Sequence, residues 1–132
     1  MTIESADGVA LKRAVPEPGE EIVFSPWMIL VAALLSAGLA AAAARLLVWK
    51  GRPLALAAAG VFVAVLGWRL LANVLGLNED YLPAVSVADT VCLLAGGLPP
   101  ALVAAATRPL PRRAWAVGAG AAAAFIVNVV VL

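Results

Sequence analysis

Histidine is absent from this 132-residue chain. The usual general base near neutral pH, the commonest metal ligand and the usual haem ligand are therefore missing. Cys92 is the only cysteine, which excludes an internal disulfide and a thiolate metal cluster. Lying within an apolar stretch, it reads as a small buried residue and not as a reactive thiol. Charged residues make up only 13% of the chain and nearly cancel, leaving a formal net charge of +1. That balance offers no broad positive field to a nucleic acid, so no such partner is expected. The chain also has no glycine-rich phosphate loop, Ser/His/Asp set, Cys-x-x-Cys or pair of carboxylates within one apolar run. No catalytic residue, cofactor or metal is expected.

What the chain does have is apolar length. Hydrophobic residues reach 64%, against about 45–50% in an ordinary soluble domain, and the mean hydropathy is +1.04. The excess falls in four runs, each close to the roughly 20 residues that cross a hydrocarbon core. The expected fold is all-α: a polytopic four-transmembrane-helix bundle with a short polar tail. The spans are placed at about 26–48, 53–76, 83–107 and 111–132.

Residues 1–25 form the tail, in which Glu4, Asp7, Glu17, Glu20 and Glu21 outweigh Lys12 and Arg13. Pro16 and Pro18 prevent a continuous helix, so a flexible leader is expected, or a tail that orders on a partner subunit. A cleavable signal would need a basic segment followed directly by a short apolar core, so none is expected. Ser25 suits an N-cap, Pro26 the first helical position, and Gly51 the cap that closes the first span.

Orientation follows from the basic residues. Arg45, Lys50, Arg52, Arg108, Arg112 and Arg113 flank one side, and Lys12 and Arg13 the other. The positive-inside rule puts the first group in the cytoplasm and both termini outside, in a bacterial-type plasma (inner) membrane. Trp27 and Tyr81 then mark the outer interface, Trp49 and Trp115 the inner one.

Three constellations stand out. Arg69 in the second span and Asp89 in the third each lie about seven residues from the short outer loop. Both are thus expected roughly 10 Å below the outer surface. Intramembrane charges are costly unless paired, and these two are placed to pair. Asn73, Thr90 and Asn128 come to similar depth, giving one candidate polar cluster. It serves either to fix helix pairing or as a proton or ion site centred on Asp89.

The second constellation is Gly96, Gly97, Pro99 and Pro100, a candidate helix break or kink. Each proline takes the donor from the carbonyl four residues earlier, and freed carbonyls in broken helices hold cations in some transporters. The third is the face of Ala116, Gly120 and Ala124, continued by Asn128, whose small side chains allow close helix contact in lipid. The expected partners are the lipid bilayer together with other membrane subunits or further copies of the chain. The function expected is a non-catalytic accessory or scaffold subunit of a larger membrane complex. A small oligomeric transporter or channel using Asp89 and Arg69 is the alternative.

Overall fold

The computed structural model describes residues 23–83, 85–107 and 109–132. The polar segment 1–22, Arg108 and the side chain of Tyr81 lie outside the described residues, as do the expectations placed on them. The described elements are α1 (Pro26–Leu46), α2 (Gly51–Val74), β1 (Asp80–Leu82), β2 (Val85–Ser86), α3 (Val87–Ala106) and α4 (Arg113–Val131). All four helices are long and apolar enough to cross a membrane.

Each helix packs on its neighbours in the chain, α4 returns against α1, and the diagonal pairs scarcely touch. Short connections between successive helices make this a square up-and-down bundle. Its interior is built from small residues. Ala33, Ala37, Val61, Val65, Cys92 and Ala124 form the central cluster, while Leu34, Leu39, Leu94, Leu98 and Leu102 point outward. Large side chains outside and small ones inside is the arrangement that lipid favours, because backbone approach rather than apolar burial holds the helices together.

Several boundaries differ from those expected, each for a local reason. Helix α1 stops at Leu46 in a Schellman turn: Val48 N–H donates to Arg45 O and Trp49 N–H to Ala44 O, both at 3.0 Å. The left-handed position in that turn is taken by Val48 at φ 73°, two residues after the helix ends and ahead of the expected glycine, Gly51. The turn buries Trp49, whose Nε1 donates to Pro111 O at 3.0 Å. Trp49 therefore packs with Ala44, Ala57, Ala104 and Ala116 inside the bundle end. Trp27 and Trp115, by contrast, are exposed. Helix α2 ends the same way but with Gly76 at φ 67°, and Leu77 N–H donates to Ala72 O at 3.0 Å. Ser25 precedes α1, but its side chain makes no capping hydrogen bond.

The largest shift is at the third span, which was expected from residue 83. Residues 80–82 and 85–86 instead form a small antiparallel ribbon, β1 on β2, and α3 starts only at Val87. Among the described residues this ribbon is the one extended element, and it lies where it sets the first turn of α3.

Candidate functional site

The first turn of α3 is a capping box, formed because Ser86 and Asp89 have the required spacing. Ser86 N–H and Ser86 Oγ donate to Asp89 Oδ2 at 3.0 and 2.8 Å, and Asp89 N–H donates back to Ser86 Oγ at 3.2 Å. Asp89 is therefore the third residue of its helix, not a residue two turns into a span. It sits about 3 Å along the axis from the helix start, in the first turn. At the positive end of the helix dipole its negative charge is favoured.

Arg69 reaches Asp89 from α2, with Nη1 3.1 Å from Oδ1 and side-chain exposures of 1% and 8%. The two are in contact as an ion pair, but the geometry is not that of an aligned hydrogen bond. Nε and Nη1 of Arg69 and Oδ1 of Asp89 have no hydrogen-bond partner. Coulomb attraction at this contact distance does not need the N–H to point along the line of approach. On its other side the guanidinium lies over the Phe24 ring, 5.3 Å from its centroid, at cation–π range. Arg69 is thus held between an aromatic face and a carboxylate that a helix cap already fixes.

Around this pair the loop ends are tied together. Asn73 clamps the chain ahead of α1, accepting from Phe24 N–H at 2.8 Å and donating to Phe24 O at 3.0 Å. Asn78 Nδ2 donates to Asn73 Oδ1 at 3.0 Å. Trp68 Nε1 donates to Ala88 O at 2.8 Å, a second link between α2 and the start of α3. Phe24, Asn78, Asp80, Ser86 and Asp89 line a polar hollow of about 160 Å³. One turn inward from the pair along each helix, Val65 and Cys92 are fully buried in the central cluster.

Two expected members of the cluster donate to backbone carbonyls four residues earlier in the chain. Thr90 is on an exposed face of α3 and donates to Ser86 O at 3.2 Å. Asn128 is fully buried, but its hydrogen bond, Nδ2 to Ala124 O at 2.6 Å, stays within α4. Sequence reasoning also missed Phe24, Asn78 and Ser86. The signal for Ser86 was present as Ser-x-x-Asp ahead of an apolar run. It was hidden by starting the span at Pro83.

The candidate break in α3 is a continuous helix, with Pro99 and Pro100 inside it. Of the two expectations, the break is excluded, and neighbouring helices cover the altered backbone at the prolines. An added Cβ on Gly96 would stand 2.5 Å from Ala124 Cβ, and one on Gly120 2.5 Å from Gly96 O. A Cβ on Gly60 would stand 2.6 Å from Pro99 Cβ. Pro100 deprives the Gly96 carbonyl of its helical donor, and that carbonyl faces the Cα hydrogens of Gly120, a weak acceptor contact suited to close helix pairs. Ala116, Gly120 and Ala124 are buried along α4. Residues 96–100 are thus a waist at which α3 meets α2 and α4.

The third span thus carries two separate features, as its sequence suggested: a polar clamp at one end and a steric waist at mid-helix. Among the described residues no group of three His, Cys, Asp or Glu side chains converges. Comparison with known proteins adds no assignment, since no family model, curated protein or solved structure matches the chain.

Proposed function

We propose that the chain is a non-catalytic accessory or scaffold subunit of a larger membrane complex. The observation that carries this reading is how the intramembrane charges are used. Asp89 accepts two hydrogen bonds from its own cap and is in contact with Arg69. Arg69 is also covered by Phe24. Both charges are engaged in joining the chain ahead of α1, the end of α2 and the start of α3. A carrier site needs a group that changes partners, and a conduit needs a polar path. Here the polar hollow gives way to the closed cluster of Val61, Val65, Cys92 and Ala124.

The outward faces fit a subunit that meets lipid and other helices, being apolar over most of the length of all four. In this reading Arg45, Lys50, Arg52, Arg112 and Arg113 face the cytoplasm by the positive-inside rule. The clamp end then faces outward, in a bacterial-type inner membrane. Gentle detergent extraction followed by affinity purification tests the proposal. Other membrane chains in fixed ratio are expected. A homogeneous preparation of this chain alone that moves ions in liposomes, with flux lost in Asp89→Asn but folding retained, would contradict it and favour the transporter alternative.

A further inference from the structure

The seam between α3 and α4 is closed in its inner layer by the waist but open on its outer side. At the basic end, Ala101, Ala104, Ala105, Arg113, Ala114 and Val117 line a hollow of about 400 Å³. A second hollow, of about 360 Å³, continues from it and shares Ala101 and Val117, running on to Gly97, Leu94 and Ala121. Together they make one apolar groove from Ala105 up to Leu93, about 18 Å at helical rise. That exceeds a little the roughly 15 Å depth of one leaflet's hydrocarbon.

The mouth of the groove has an unusual charge arrangement. Arg113 lines it and is the first residue of α4, and Arg112 precedes it in a left-handed conformation. The helix has no side-chain N-cap and no acidic residue in its first turn. Two guanidinium groups thus sit at the positive end of a helix dipole, where a cation is disfavoured and an anion favoured. The described carboxylates, Glu79, Asp80 and Asp89, belong to the opposite end of the bundle. Trp115, 73% exposed in the first turn of α4, is the residue type that settles at the headgroup level.

We infer that this groove binds an anionic phospholipid, with one acyl chain along the α3–α4 seam and the phosphate held by Arg113, Arg112 and the amino end of α4. Arginine's planar fork pairs with phosphate in a bidentate way. A second copy of the chain fits the groove less well. Copies inserted in the same direction would bring their own basic ends to the same level, with no described carboxylate to meet Arg113. The groove between α2 and α3, lined by Leu56, Gly60, Pro99, Leu102 and Thr107 among others, has no charged residue among its described lining and serves as the internal contrast. The inference requires that the four helices lie in a bilayer and is independent of the accessory role.

The test is native mass spectrometry of the full chain released from nanodiscs of equimolar phosphatidylglycerol and phosphatidylcholine. Retained lipid should be enriched in phosphatidylglycerol by about tenfold or more, given the attraction that two arginines exert on an anionic headgroup. Arg112→Gln with Arg113→Gln should return the ratio to that of the bilayer. Arg52→Gln, which removes a charge at the same end but outside the groove, should leave the enrichment in place. Ala101→Phe, which fills the groove while keeping both arginines, should lower the amount retained. Retention of both lipids in the bilayer ratio would overturn the inference. So would unchanged enrichment in the double arginine variant, or a stable dimer that excludes lipid from the seam.

Discussion

The clamp and the waist hold the same helix by different physics. At the clamp, Asp89 joins α3 to α2 through charge and through hydrogen bonds that begin its own helix. At the waist, α3 meets α2 and α4 because Gly60, Gly96 and Gly120 have no side chain to keep the backbones apart. A charge contact depends on which two groups face each other and can in part be rebuilt by exchanging them. A steric contact depends on volume, so no exchange of charge restores it.

Substitutions separate the two regions. Asp89→Ala leaves Arg69 buried without a counter-ion and should produce the largest loss of stability, about 3–5 kcal/mol by reversible unfolding in mixed micelles. Exchange of the pair, Arg69→Asp with Asp89→Arg, should recover much of that loss. A residual deficit near 1 kcal/mol should remain, because an arginine at residue 89 cannot accept from the Ser86 cap. Full recovery would mean that the capping box contributes nothing; no recovery would mean that pairing is not what holds this end.

Gly120→Val should cost about 1–3 kcal/mol through overpacking against Gly96 and Pro100, and Gly96→Val a similar amount. Combining either with the charge exchange should be additive, since the two regions share no partner. Ser86→Ala removes one capping acceptor and should cost about 1 kcal/mol. The smallest effect has the opposite sign. Val48→Gly relieves a β-branched residue in a left-handed turn and should stabilise by about 1 kcal/mol. Gly76→Val at the equivalent turn after α2 should destabilise by a like amount.

The four apolar helices were legible in the sequence because hydropathy over twenty residues leaves little choice in lipid. So was the facing of Arg69 and Asp89, since a short loop brings the last turns of one helix beside the first turns of the next. The start of α3 was not. Pro83 resembles a first helical residue, but it lies in the turn of a two-stranded ribbon, and that moved Asp89 to the first turn of its helix and hid its capping role. The role of Gly96, Gly97, Pro99 and Pro100 depended on tertiary contact. Local sequence reports the missing donor but not the neighbouring helices that cover the carbonyl. Val48 in a left-handed turn carried no sequence signal either, because Gly51 stood close by as the favoured candidate.

The contact of Arg69 with Asp89 is the structural clamp on which this end of the bundle depends. A double-mutant cycle tests it most directly, with Arg69→Ala, Asp89→Ala and the double variant unfolded reversibly in mixed micelles. If the pair is a clamp, the double variant loses far less than the sum of the single losses, with a coupling of about 1–3 kcal/mol. Additive losses, with either single variant as stable as the parent, would contradict it.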